Sequence, residues 1–237
     1  LARVISGAGE RLATLRDRVI EAARLQRHSL VLDINAGTGL MTWEALRRAP
    51  EGGAWLLTPN AEEAAALREM VARLSQVERP VVLQGRVEEL PKLLELRAEA
   101  SVRFDAIIGR SALAAAPDKA AVAQVLAGLL AAGGTLSLAE PLPRETQRLY
   151  ALVDLARLDA DLAAKVTAAE EAIYADPADP LVNWTAADLT ALLVAAGLTD
   201  VRVEPVETTA DARIGPALLD RWFTPMPTGE RPSYVQR

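Results

Sequence analysis

Up to residue 140 the chain alternates between two hydrophobic periods. Residues 8–27, AGERLATLRDRVIEAARLQR, place Leu12, Leu15, Val19, Ile20 and Ala23 at helical spacing with charges on the other face. The period then changes. SLVLDI is a short continuous apolar run that stops at the turn-forming Asn35, the pattern of a strand buried on both faces of a parallel sheet. The same alternation predicts strands near 29–34, 53–58, 80–84, 103–108 and 134–140, with helices near 40–49, 60–75, 87–98 and 117–131 between them. Five successive β-then-α units imply an α/β fold with a Rossmann-like, doubly wound, mostly parallel sheet, helices on both faces and right-handed crossovers.

Beyond Pro143 the pattern becomes a long helical stretch over 144–174, rich in Ala, Leu and Asp, which ends at the turn-forming ADPADP. NWTAADLTALLVAAGL then reads as a capped helix, with Thr185 as N-cap, Asp188 three positions on and Gly197 as the stop. DVRVEPVE predicts a sixth strand near 200–207, and PALLDRWF a short helix. The expected organisation is an N-terminal helix over 1–28 packed on the core, an α/β domain over 29–207 with a helical insertion at 144–180, and a tail over 208–237.

Composition narrows the chemistry. With 237 residues, 51% of them hydrophobic, the chain can bury a sizeable core. Its 26 basic against 32 acidic residues, net charge −6, give no general attraction to phosphate backbones or anionic lipid, so a broad nucleic-acid-binding face is not indicated. There is no cysteine and one histidine, His28, which excludes disulfides, thiolate nucleophiles and multi-histidine metal centres. The apolar run at 120–139 is interrupted by Gly133 and Gly134 and falls short of a membrane span. A soluble, cytoplasmic protein is expected. The first residue is Leu1 rather than methionine, as in a piece of a longer chain.

The candidate ligand site is VLDINAGTG, residues 31–39. Gly37 and Gly39 stand in the first βα turn, where ligands of open parallel sheets bind and where backbone without Cβ can approach them closely. A tight strand-to-helix turn also wants glycine for itself, and this motif alone does not separate the two readings. No G-x-x-x-x-G-K-[ST] string occurs, so a phosphate loop for ATP is absent from the sequence.

VLDINAGTGLMTWEAL resembles the first motif of the class I S-adenosylmethionine-dependent methyltransferases, apolar-apolar-acid-x-Gly-x-Gly-x-Gly, with Asp33 as the acid, Gly37 and Gly39 as the later glycines and Asn35 in place of the first. RFDAIIGRSAL resembles the family's fourth-strand segment, VLAGLLAAGGTLSLAEP its fifth, and LTALLVAAGLTDVRVEPVE its closing helix-glycine-strand unit, so the resemblance spans residues 25–207. It implies S-adenosylmethionine as cofactor, with the sites at Asp33, Asn35, Gly37, Gly39, Thr58, Arg86, Val87, Gly109 and Arg110. It also implies that the segment after strand five could cover the cofactor.

Two positions depart from the pattern. Family members end strand two with an acid that takes both ribose hydroxyls, where this chain has Thr58. After strand three they carry an acid for the adenine amino group, and here QGRVEELP puts Arg86, which offers only donors. Glu88 and Asn60 are the neighbours that could take over. The strand-four position reads Gly109-Arg110-Ser111, without the family's base-methylating signatures, so no catalytic residue is assigned and the methyl acceptor stays open. Arg110 is the charged residue best placed to meet an anionic group, with a surface ion pair as the alternative. His28 sits at an element boundary, and the four tryptophans are expected to pack in cores or interfaces.

EEAIYADPADPLVNW and PALLDRWF fit no methyltransferase motif; they resemble the methyltransferase-like extension fused behind a replication-associated recombination AAA+ ATPase. That resemblance implies a module of a larger protein, and the missing acids at Thr58 and Arg86 favour a non-catalytic one; separately, the unpaired edge of the sixth strand predicts that the tail beyond about Asp211 is completed by further chain or by a second copy.

Overall fold

The computed structural model describes residues 2–75, 79–114, 116–208, 214–227 and 232–237. Along the chain run α1 (Ala2–Ala22), β1 (Leu30–Ile34), α2 (Leu40–Arg48), β2 (Gly53–Thr58), α3 (Ala61–Ala72), β3 (Val81–Gln84), α4 (Leu90–Leu96), β4 (Phe104–Arg110), α5 (Lys119–Leu129) and β5 (Leu130–Ala139). These are followed by α6 (Ala160–Ala175), α7 (Ala186–Ala195) and α8 (Pro216–Phe223). The five strands form one sheet in the order β3-β2-β1-β4-β5, every pair parallel. The order reverses at β1, as a doubly wound sheet requires.

Alternation along the strands sorts their side chains into two cores. Leu32, Ile34 and Ile107 point into a cluster with Leu90, Leu94, Leu126, Trp184 and Leu189, on the face covered by α4, α5 and α7. Val31, Ala106 and Ile108 point the other way, against Val19, Ile20 and Ala23 of the α1 region and Met41 and Ala45 of α2. Continuous apolar strands are what burial on both faces demands.

The chain divides into two compact units: Leu1–Thr146 with Pro177–Glu204, and Gln147–Asp176 with Pro205–Arg237. The first holds the sheet. In the second, Glu170 on α6 is 3% exposed and accepts the backbone N–H groups of Leu149 at 2.6 Å and Tyr150 at 2.8 Å. Arg148 lies 3.9 Å from the Tyr174 ring centre and pairs with Glu171 at 3.0 Å. Among the described residues no helix is long and apolar enough to cross a membrane.

Four expectations are corrected. Residues 201–208 form no strand: Val203 leans on the core, but the segment shows no ladder to β5, and Pro205 lacks an N–H to donate to one. The stretch 144–174 is not one helix. It breaks into 3₁₀ turns at Pro143–Glu145, Tyr150–Leu152 and Leu155–Arg157 before α6, because Asp154 and Asp159 turn their carboxylates onto the N–H groups of Ala156 and Leu162. The N-terminal helix runs from Ala2 and stops at Ala22, ahead of Arg24 in a left-handed conformation (φ 51°). Finally, β5 begins at Leu130, directly after α5, with a register shift opposite Phe104 and Ala106 that absorbs the two glycines. The α7 cap is as expected: Thr185 and Asp188 each bond the other's backbone.

Phe104 is fully buried, its ring 5.3 Å from that of Trp55 in an edge-to-face arrangement. Phe104→Ala should cost about 3–5 kcal/mol of stability in urea unfolding followed by circular dichroism; a loss below about 1 kcal/mol would contradict the packing described.

Candidate functional site

Strand β1 delivers its last residues to the carboxyl end of the sheet beside β4, where the strand order reverses and open parallel sheets take their ligands. Asp33, on the α1 and α2 face, is 2% exposed. It accepts the Thr42 hydroxyl at 2.5 Å and a further bond from the Thr42 backbone, and so ties the first turn of α2 to β1. Burial pushes its carboxyl up to about 7, against the opposing pull of Thr42 and the positive charge of Arg110.

Asn35 takes the left-handed conformation (φ 57°) that a glycine would adopt and that asparagine tolerates better than most residues. Its side-chain amide does what glycine could not. It donates to the carbonyl of Arg110 at 2.8 Å and to that of Ser111 at 3.3 Å, bridging the ends of β1 and β4.

The two glycines differ. A Cβ on Gly39 (φ 78°) would lie 2.8 Å from the indole nitrogen of Trp43, which packs over the turn and donates to the Thr38 carbonyl at 3.2 Å. Gly39 is therefore required by packing. A Cβ on Gly37 (φ 56°) would meet nothing within 4 Å, so Gly37 is the glycine that faces open space. Gly109 is also explained by packing: its Cβ would lie 2.6 Å from both Cγ1 and the carbonyl oxygen of Ile34. Arg110, the last residue of β4, is exposed.

At the end of β2, Thr58 is fully buried and its hydroxyl donates to Glu63 at 2.5 Å. Asn60 is not available as a substitute acceptor, because its side-chain oxygen caps α3 by accepting the N–H groups of Glu62 at 2.8 Å and Glu63 at 3.2 Å. Glu63, half-buried in the first turn of α3, thus brings a carboxylate back to the position where the strand itself has none. The Gly85 N–H donates to the Thr58 carbonyl at 3.0 Å, which sets the end of β3 beside it. Arg86 is exposed and pairs with Glu88 at 3.3 Å, while Val87 is buried. An exposed pair of this kind contributes little to stability.

The loop leaving β4 is held from β5. The Ser111 N–H donates to the Ala139 carbonyl at 2.9 Å, and the N–H groups of Ala112, Leu113 and Ala114 converge on the Glu140 carboxylate at 2.8, 3.1 and 2.9 Å. Burial pushes the Glu140 carboxyl up while the three amides pull it down. A shallow groove of 680 Å³ lies elsewhere, between α4 and α5, and a 250 Å³ pocket that includes His28 sits at the amino ends of the strands. No group of acidic or histidine side chains among the described residues could hold a metal ion.

Asp33, Asn35, Gly37, Gly109 and Arg110 therefore lie together at the carboxyl ends of β1 and β4, Asp33 and Gly109 buried, with Gly39 beneath Trp43, Thr58 at the end of β2, and Arg86 and Val87 after β3. Sequence reasoning missed Glu63, Glu140 and Thr42. For Glu63 a signal existed: Asn60 followed three residues later by Glu63 is a capping-box spacing, which turns the acid back toward the strand end. For Glu140 the signal was weaker, an acid immediately after a strand.

No family model matches the chain, and no curated protein matches it significantly. Solved structures do. A protein assigned as a methyltransferase of an antibiotic biosynthesis pathway in Anabaena variabilis is 16% identical with a TM-score of 0.50, over 78% of this chain and 60% of its own. One assigned as a methyltransferase in Bacillus halodurans is 19% identical with a TM-score of 0.50, over 77% of this chain and 68% of its own. A third, assigned as a sarcosine dimethylglycine methyltransferase in Galdieria sulphuraria, is 21% identical with a TM-score of 0.42, and the chain spans 48% of its length. With the parallel sheet and its switch at β1, the first two likenesses define the fold: this is a methyltransferase-like α/β domain of the Rossmann-like class.

The buried Asp33 gives a pH test. Folded, it keeps its proton up to about pH 7, whereas unfolded it releases it near 3.8, so between those values the folded state binds more protons and stability falls as pH rises. Asp33→Asn should match the parent near pH 4 and exceed it in stability at pH 8, by on the order of a few kcal/mol at about 1.4 kcal/mol per pH unit. Urea melts at several pH values would show this; a difference that does not change with pH would contradict it.

Proposed function

We propose that the sheet domain is an S-adenosylmethionine-dependent methyltransferase-like domain that holds its cofactor across the Gly37 turn, with Glu63 supplying the ribose acceptor missing from the end of β2. The observation that supports this reading is the Thr58 hydroxyl bond to Glu63, which fixes a carboxylate beside the strand end. A carboxylate can accept two hydroxyls at once, which a threonine cannot. Glu88, held by Arg86, is the acid nearest the adenine position in sequence. When bound, the cofactor supplies an electrophilic methyl group on a sulfonium. The chain's own part is to orient that group toward an acceptor, through the Gly37 backbone and the strand ends held by Asn35. The acceptor class is left open.

A second reading, a non-catalytic module of a larger protein, is supported by Arg86, which by the family resemblance replaces the adenine-binding acid, offers donors only and is paired to Glu88. The fused-ATPase resemblance belongs to this reading. An ATPase-coding segment in frame ahead of Leu1 would support it.

Titration calorimetry with S-adenosylmethionine and S-adenosylhomocysteine should find binding in the micromolar to high-micromolar range, reflecting the adenine anchor lost at Arg86. Glu63→Gln should weaken it about tenfold or more, the loss of a charged acceptor. Arg86→Asp, which returns an acceptor after β3, should tighten it by about tenfold, whereas Thr58→Val, which frees Glu63, should weaken it. Gly37→Val, which fills the open space and strains a positive φ, should abolish it. No heat from the unaltered chain, or no effect of Glu63→Gln, would overturn the proposal.

A further inference from the structure

We infer that Glu140 is a positioning residue that fixes the loop leaving β4 and, through the Ser111 carbonyl, the Asn35 bridge between the ends of β1 and β4. The inference rests on the reading of the carboxyl end of the sheet as a cofactor site. Four consecutive N–H groups, Ser111 to Ala114, are taken by two consecutive residues at the end of β5: the Ala139 carbonyl and both oxygens of Glu140. The sheet register makes this reach short, because Arg110 lies opposite Ala139.

The same loop turns its first two carbonyls the other way. Those of Arg110 and Ser111 accept the Asn35 side-chain amide, so the loop is fastened to β5 on one side and to β1 on the other. Ser111 is bent into a left-handed conformation (φ 53°) between the two fastenings. Successive backbone amides in such a turn form an anion-binding nest. Here the anion is part of the chain.

Leu113 is 1% exposed and buried in the core, so packing alone keeps the loop near the sheet. What Glu140 adds is orientation of one peptide: its bond to the Ala112 N–H fixes the Ser111–Ala112 unit so that the Ser111 carbonyl faces Asn35, while the Arg110 carbonyl is fixed by the Ser111 N–H bond to Ala139. Lys119, whose ammonium donates to the carbonyls of Ala116 at 3.0 Å and Pro180 at 2.6 Å, contributes positive charge near the carboxylate without bonding to it. No other acid among the described residues shares these amides.

The test uses Glu140→Gln, which keeps shape and one acceptor oxygen but turns an NH2 group toward an amide. By NMR hydrogen exchange, the amides of Ala112, Leu113 and Ala114 should exchange at least tenfold faster than in the parent. Those of Ile34 and Ile107 should be unchanged, showing the sheet intact. The side-chain amide resonances of Asn35 should shift although residue 35 is untouched. S-adenosylhomocysteine affinity should fall about fivefold or more, and Asn35→Ala should cost much less in the Glu140→Gln background than in the parent, because both changes release one device. Faster exchange with unmoved Asn35 resonances would overturn the inference and reduce Glu140 to a local loop anchor, as would fully additive affinity losses. If the unaltered chain does not bind S-adenosylhomocysteine, the functional reading fails and the Asn35 resonances alone decide the role of Glu140.

Discussion

The carboxyl ends of β1 and β4 are joined by one side-chain amide. Asn35 leaves β1 in a left-handed turn and spends its two N–H groups on consecutive carbonyls at the end of β4, 75 and 76 residues further along the chain. Everything around it is arranged to permit that span. Gly109 has no Cβ because Ile34 lies against it, and β4 can then approach β1 closely enough for the amide to reach. A glycine at position 35 would adopt the same backbone and leave the two strand ends tied only by their ladder.

Around this bridge the chain repeats one electrostatic device, an acid next to a strand end turned inward onto neutral donors. Asp33 takes a hydroxyl and a backbone bond from Thr42, Glu63 takes the hydroxyl of Thr58, and Glu140 takes three amides. In the other compact unit Glu170, within α6, likewise accepts neutral donors, the N–H groups of Leu149 and Tyr150. Neutral donors stabilise a carboxylate less than an arginine would, which is why burial wins at Asp33 and Glu140 and raises both.

The sheet was legible in the sequence because each of its strands is an apolar run bounded by turn residues, and burial on both faces leaves no other use for SLVLDI or FDAIIG. What failed to read was pairing. VRVEPVE has the alternation of a strand, but alternation reports which face is buried, and Val203 achieves that burial without a ladder. The long helix after Pro143 failed for a related reason: helical period survives across the Asp154 and Asp159 caps that break it. The tight turn at Gly37 and Gly39 was legible from its spacing, but a cofactor role for it came from the family resemblance alone. Glu63 could not be given a role until α3 was seen to fold its first turn onto Thr58, and Arg86 proved to be an exposed partner of Glu88.

The central claim is that a nucleoside-bearing sulfonium cofactor is held between the Gly37 turn and Glu63. Two-dimensional amide NMR of the whole chain, titrated with S-adenosylmethionine, tests it without requiring a known acceptor. The account predicts saturable shifts at Gly37, Thr38 and Gly39, at Asn60 to Glu63, and at Arg86 to Glu88, with the α4–α5 groove unmoved. Shifts confined to that groove, or none at millimolar cofactor, would contradict it.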